Sequence, residues 1–356
     1  MTCPWYPQIF MSRKEVFFMD RQFKYRSVFS PYFESFMKMK DAMGYGLNKF
    51  GYTFLELDRF FLETGATDTY ITSRQIAAWR ATRSNDGART LYEKYSVLSQ
   101  FCRYMCHLGH ECYVPRMPKR KEIDFMPYVF THEQMGSIFR ECDGLAISNC
   151  SNMSTALVAI PALIRLLYST GARIGEALAI RNMDIDYAHD RIIITETKNK
   201  MQRMVPINPS LKEVMKQYES YRDRMPVEGL ADRERSFFVT ANGRPFARGT
   251  AYSWFKKVLK QCGIPHIGKQ QGPRVHDIRH TCAVHSLEKM VKSGADIYCA
   301  LPILSTFLGH KTIAGTEKYV RMTREIHPDI IDKENVLTSF VFPIKTETDI
   351  DYGNDY

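Results

Sequence analysis

The sequence predicts a mainly α-helical protein in two domains, with a small β-sheet confined to a second, α+β domain. Three observations carry this. The chain has 356 residues, more than one hydrophobic core usually serves, since single cores stop growing at roughly 250 to 300 residues. Its first third shows helical periodicity punctuated by helix stop signals. Beyond it, two short apolar runs flank a basic tip, the pattern of a β-hairpin set among helices.

Taken in order, residues 1–25 are an unassigned N-terminal extension, and residues 26–112 read as a helical domain. Pro31–Met43 and Phe54–Glu63 are aromatic-rich amphipathic stretches ended by Gly44 and Gly65. Thr72 and Ser73 can cap a helix through Arg80, and a long segment from Ala88 to Leu108 ends at Gly109. Residues 113–128 hold three prolines with Arg116, Lys119, Arg120 and Lys121. Proline stops helices and removes backbone donors, so this is an extended basic linker. It is charged as a strap on a phosphate backbone would be, or as a solvated linker.

Residues 129–339 form the α+β domain. Thr131 caps a helix through Arg140, and STALVAIPALIRLLYSTG is a buried helix stopped at Gly171. RIIIT (Arg191–Thr195) and MVPI (Met204–Ile207) are strands on either side of TKNKMQR. Phe237–Thr240, followed by ANGRPF, reads as a further strand and turn. Helices follow at Thr250–Cys262, His276–Ser293, Ile297–Leu308 and around Thr316–Met322. Residues 340–356 are an acidic tail that opens with the apolar Val341-Phe342-Pro343-Ile344.

Hydrophobic residues make up 44% and charged residues 25%, which suits a folded globular protein and excludes a disordered one. Lys and Arg number 49 against 39 Asp and Glu, a net charge of +10 that favours a polyanionic partner, nucleic acid or an anionic membrane surface. No run of 18 apolar residues exists, so no segment is expected to span a membrane, and the first twenty residues lack a signal-peptide layout, so a cytoplasmic protein is expected. The nine cysteines are odd in number and spread along the chain, as reduced thiols would be. Cys102, Cys106, His110 and Cys112 form one cluster. Zinc would need four converging ligands, whereas Cys102 and Cys106 share a helix face with Phe101 and Met105, which favours packing.

Five short segments carry the chemistry: TGARIGEAL, TETKNKMQR, HDIRH, LGH and TEKY. In HDIRH, His276 and His280 have the i, i+4 spacing of zinc proteases. The acid, however, follows the first histidine, and Arg279 would repel a dication. Together and in this order the segments resemble the tyrosine recombinase (phage integrase) family, of the kind carried by mobile genetic elements, over essentially the whole chain. LGHKTIAGTEKY sets His310 nine residues before Tyr319, HDIRH resembles the family's H-x-x-R-H box, and GARIGEALAIRNMDID resembles its first arginine box. The stretch LPILSTF before LGH also resembles recombinases of mobile elements.

The resemblance implies a helical, SAM-like core-binding domain and a catalytic domain closing as a clamp on double-stranded DNA. It implies strand cleavage and rejoining through a covalent 3′-phosphotyrosyl link, with Tyr319 as nucleophile, for integration, excision or transposition. Arg173 and Arg279 would fork onto the non-bridging oxygens of a phosphodiester whose transition state gains charge. His276 and His310 would donate hydrogen bonds or exchange protons. The family protonates the leaving 5′ oxygen with a lysine at the hairpin tip; counting back from Val205-Pro206, Lys198 matches best and Lys200 is the alternative. Glu176 resembles the acidic residue that supports the arginine and histidine.

From Ala241 to Arg274 the chain carries many cations and no acid. In the family this region approaches the major groove, so Arg244, Arg248 and Lys257 are expected to touch phosphate. No phosphate-binding glycine loop or two-metal acidic cluster is present in the sequence, so neither cofactor nor metal is expected. A homo-oligomer, a tetramer on two recombination sites, is implied, with or without helper recombinases. Two other readings remain: a type IB-like topoisomerase, and a catalytically idle DNA-binding protein on the same fold.

Overall fold

A computed structural model describes residues 23–119, 126–145, 154–195, 202–266, 272–310 and 312–326. The chain divides into two compact units, Met1–Asp124 and Phe125–Tyr356. Outside the described residues lie most of the N-terminal extension, Arg120 and Lys121 of the linker, the hairpin tip with Lys198 and Lys200, and the acidic tail.

The first unit is helical: α1 (Ser30–Ala42), α2 (Asn48–Glu63), α3 (Ser73–Ala81) and α4 (Ala88–His107). Aromatic rings at helical spacing hold it together. Phe33 and Phe36 of α1, Phe54 of α2 and Phe101 of α4 are all buried, and the Phe101 ring lies 4.8 Å from Phe33 and 5.1 Å from Phe54. Helix α2 starts at Asn48 rather than Phe54, because Phe50 extends the apolar stripe one turn toward the N-terminus. Thr72 and Gln75 form a capping box that starts α3. Tyr25 is also buried, and Phe23 meets Tyr52 edge-on, so packing reaches back into the segment read as an extension.

The clustered cysteines divide: Cys106 is exposed, against the expectation that it shares a packed face with Cys102, whereas Cys102 and Cys112 meet the core. Cys102 is buried in the aromatic core. Cys112 Sγ accepts from the backbone N–H of Ile71 at 3.3 Å, and His110 Nδ1 pairs with Thr69 Oγ1 at 2.9 Å.

The second unit contains α5 (His132–Asp143), α6 (Ile160–Thr170), α7 (Ile174–Ala179), β1 (Ile185–Asp186), β2 (Arg191–Ile194), β3 (Arg203–Pro206), α8 (Pro209–Arg222), α9 (Arg248–Gln261), α10 (Val275–Lys292), α11 (Ile297–Leu308) and α12 (Ala314–Ile326). Helices α6 and α10 are buried over most of their surface and form its centre. The buried helix expected from Ser154 divides instead into a 3₁₀ segment, Ser154–Ala159, and α6, with Pro161 in the first turn where its missing N–H costs nothing. The sheet is antiparallel in the order β1-β2-β3, with Ile192 opposite Val205 and Ile194 opposite Arg203.

Two sequence expectations are corrected here. Phe237–Thr240 is not a strand; it makes only an isolated bridge from Val239 to Pro245. The Tyr218 hydroxyl satisfies part of its backbone, donating to Phe237 O at 3.2 Å and accepting from Val239 N at 3.0 Å, while Phe237 N–H donates to Ile180 O at 2.8 Å and Phe238 O accepts from Phe246 N at 3.1 Å. Helix α8 was not anticipated, although Asn208 caps it and Pro209 opens it, a readable start signal.

Helix α6 ends at Gly171, whose φ of 59° lies in the left-handed region. A Cβ there would also stand 2.7 Å from Leu308 Cδ2. Gly171→Ala should therefore destabilise the second unit by about 1–2 kcal/mol from backbone strain alone, read as a lower urea midpoint. An unchanged midpoint would show that the turn tolerates a side chain.

Candidate active site

Arg173 follows Gly171 at the N-cap of α7, and Glu176 lies one turn on. Glu176 Oε2 accepts the Arg173 backbone N–H at 3.0 Å, and Oε1 accepts from Arg173 Nη1 at 2.6 Å. A third contact comes from the sheet: Arg203 Nη2, at the start of β3, donates to Glu176 Oε2 at 2.8 Å. Burial would raise the pKa of this carboxyl, but Arg203 and Arg173 outweigh it and hold Glu176 down to about 2.

Helix α10 supplies His276, Arg279 and His280. Arg279 is 2% exposed, and its guanidinium spans two helix C-termini. Nη1 donates to the carbonyl of Gly171, past the end of α6, at 2.5 Å. Nη2 donates to Leu308, the last residue of α11, at 2.7 Å. These carbonyls carry the partial negative charge of helix ends, which offsets the cost of burying a cation. Burial and the neighbouring Arg173 lower the Arg279 pKa to about 10, and the group stays charged.

Gly309 ends α11 with φ 67°, turning the chain into His310. His310 Nδ1 pairs with Thr316 Oγ1 at 2.8 Å, and its ring is nearly parallel to that of Tyr319 at 6.2 Å. Tyr319, on α12, is 1% exposed. Its hydroxyl lies 2.9 Å from His280 Nδ1, donating to that nitrogen when Nδ1 carries the lone pair. Burial pushes the phenol up to about 12, although Arg279 opposes the shift. Lys318 places its ammonium 5.0 Å from the Tyr319 ring centroid.

The imidazoles are held neutral by desolvation first and nearby cations second: His276 and His310 fall to about 4 and His280 to about 2. His276 keeps an exposed edge at the start of α10, with Arg279 the main charge acting on it. Two fixed guanidiniums, neutral imidazoles and a protonated phenol suit an incoming anion. The guanidiniums can stabilise charge growing on a phosphoryl group, and His280 Nδ1 can orient the phenol by accepting its hydrogen bond.

Arg173, Glu176, Arg279, His276, His310 and Tyr319 thus belong to one neighbourhood. Sequence reasoning gave no site role to His280, Arg203 or Lys318. His280 could have been found from its i, i+4 spacing to His276, and Arg203 from strand alternation, which puts it on the same face as buried Val205.

Of the expected DNA contacts, Arg116, Lys119 and Arg244 are exposed. Arg248 opens α9 and lays its guanidinium against Gly175, beside the Arg173 turn. The half-buried Lys257 sits 4.9 Å from the Trp254 ring centroid.

His132, His285 and Glu288 form a separate cluster between α5 and α10. The two imidazole planes lie 21° apart at 3.8 Å, so their in-plane lone pairs run side by side rather than converge. Glu288 also accepts from Lys292 at 2.7 Å, and a hydrogen-bonded ion network describes this cluster better than a metal centre.

The model of the phage integrase family matches residues 128–325. Tyrosine recombinase XerC of Chlamydia caviae is 26% identical over 251 residues, covering 68% of this chain and 71% of that protein. Among solved structures, the Tn1549 transposon integrase in complex with a circular intermediate DNA aligns with a TM-score of 0.58 at 16% identity, over 81% of this chain and 94% of that one. A lambda integrase tetramer bound to a Holliday junction aligns with a TM-score of 0.56 at 17% identity, over 81% and 76%.

The neutral imidazoles give stability a defined pH dependence. Histidines in the unfolded chain titrate near 6.5, above the folded values. Stability is therefore full above that pH and is lost as acidification lets only the unfolded chain take up protons. His280→Gln should flatten the decline between pH 6.5 and 4, where His280 accounts for about 3 kcal/mol at most. Urea unfolding across that range measures it, and identical slopes for both proteins would refute the assignment.

Proposed function

The chain belongs to the phage integrase family and is a site-specific tyrosine recombinase; for its chemistry we propose strand cleavage by Tyr319 through a covalent 3′-phosphotyrosyl intermediate. The observation that carries this reading is the placement of the Tyr319 hydroxyl, 2.9 Å from His280 Nδ1 and under the influence of Arg279 and Arg173. Tyr319 Oη leaves its hydrogen bond with His280 and attacks the scissile phosphorus, and its proton passes to His276 or His310, whose protonation the arriving phosphate charge favours. The bond from phosphorus to the 5′ oxygen breaks, and that oxygen takes a proton from the hairpin lysine, Lys198 or Lys200. One phosphodiester replaces another, so bond energy is retained for rejoining.

In this scheme Arg173 and Arg279 fork onto the non-bridging oxygens, His310 and His276 donate hydrogen bonds to the phosphate, and Glu176 orients Arg173. Lysine at either arginine position would lack the planar fork. Arg244, Arg248 and Lys257 hold backbone phosphates on the catalytic side, and Arg116, Lys119, Arg120 and Lys121 form a basic strap from the linker. Both units bind duplex DNA, and four protomers act on two sites, a reading supported by the likeness to a lambda integrase tetramer bound to a Holliday junction. The LPILSTF segment supports a role in moving a mobile element.

The test is a nicked suicide duplex, with the product run on a denaturing gel. The wild type should form a covalent adduct. Tyr319→Phe should form none and bind DNA with unchanged affinity; an adduct in that variant would remove Tyr319 as nucleophile. Exchange between two matched sites without relaxation of unrelated supercoiled plasmids separates recombinase from topoisomerase.

Binding should also weaken with salt at a log–log slope of about −0.9 per neutralised phosphate. Replacing Arg244 or Lys257 with Ala should each reduce the slope by about one such unit. A slope unmoved by both changes would place the duplex elsewhere.

A further inference from the structure

Arg203 begins β3, the strand that leaves the hairpin tip, and no role in the reaction has yet been given to it. Its side chain is 9% exposed. Nη2 bonds Glu176 Oε2, the oxygen that also takes the Arg173 backbone N–H. Its aliphatic stem lies against the turn before His310, where a Cβ on Gly309 would stand 2.9 Å from Arg203 Cδ. Its Nε is buried with no hydrogen-bond partner among the described residues. One side chain therefore touches Glu176 and the Gly309 turn, two segments far apart in sequence.

Burying a guanidinium with an incomplete set of partners is a poor way to gain stability, since desolvation outweighs much of the attraction. What the arrangement supplies is geometry. An isolated arginine and carboxylate prefer a two-pronged pair. With Arg203 occupying Oε2, Glu176 meets the Arg173 guanidinium through Oε1 alone, a single bond at 2.6 Å. Without Arg203, both oxygens could turn to Arg173, closing its fork and neutralising it.

We propose that Arg203 is a positioning residue for strand cleavage: it restricts Glu176 to a one-point hold on Arg173, keeping the Arg173 fork open to the scissile phosphate, while its stem props the turn that presents His310. This rests on the recombinase chemistry proposed above. Arg203 itself touches no DNA in this scheme; it acts through Glu176, Arg173 and Gly309.

The experiment measures single-turnover cleavage of the suicide duplex by saturating full-length protein, with DNA affinity measured separately. Arg203→Met should leave affinity within about threefold and slow cleavage about 100-fold, the scale of a misplaced reacting group. Arg203→Lys, which keeps the charge but not the fork, should fall between. The deciding measurement repeats the assay with a methylphosphonate at the scissile position. That uncharged linkage has less need of an open guanidinium, so the Arg203→Met deficit should shrink to about tenfold or less.

A folding defect would lower the active fraction equally on both duplexes, so an equal deficit overturns the proposal. Cleavage by Arg203→Met at the wild-type rate overturns it as well, and leaves the recombinase chemistry intact. Failure of the wild type to form an adduct on either duplex removes the chemistry and this role with it.

Discussion

The site depends on one buried guanidinium. Arg279 joins the end of α6 to the end of α11 through the carbonyls of Gly171 and Leu308. Each helix stops at a glycine in the left-handed region, which is what aims those carbonyls back toward α10. Arg173 follows the first glycine by two residues, and His310 follows the second directly. Fixing Arg279 therefore fixes the starting points of the segments that carry both, and α12 then brings Tyr319 in from the far side.

The electrostatics follow from that convergence. Arg173 and Arg203 both bond one buried carboxylate, Glu176, while Arg279 bonds two carbonyls, so the neighbourhood carries an excess of positive charge before any substrate arrives. Burial first and nearby cations second, Arg279 at His276 and His310 and Lys318 at His280, suppress protonation of the three imidazoles, and Arg279 with Arg173 opposes the upward shift that burial imposes on Tyr319. A phosphodiester brings the missing negative charge, and the excess is best matched when that charge grows during the reaction.

Much of this was legible in the sequence, for identifiable reasons. HDIRH and the spacing from His310 to Tyr319 lie in short, locally determined stretches, so their geometry survives translation from sequence to fold. The capping residues Thr72 and Thr131 and the stops at Gly171 and Gly309 are equally local signals. Strand alternation places Arg203 on the face of Val205, but its role was not legible there, because its partner Glu176 lies 27 positions away in the chain. Phe237–Val239 misled for the opposite reason: three consecutive buried residues look like a strand, but their hydrogen bonds are divided among the Tyr218 hydroxyl, Ile180 and Phe246 rather than made by one partner strand. The pairing of Tyr319 with His280 needed α10 and α12 to be packed together before it could be seen.

Tyr319 is closed in as well as correctly placed, and this bears on when the protein acts. A side chain 1% exposed must leave its seat to meet a phosphate on a duplex. Giving up the His280 hydrogen bond costs about 1 kcal/mol, and re-exposing the ring about 2 kcal/mol. The sum biases the closed seat by roughly a hundredfold. With Tyr319 as the nucleophile proposed above, a latch of that strength is weak enough for a correctly engaged duplex to open, yet strong enough to keep the phenol idle during chance collisions with the rest of a chromosome. In that scheme burial of one phenol is a safeguard against stray nicks, built from the same contacts that hold α12 in place.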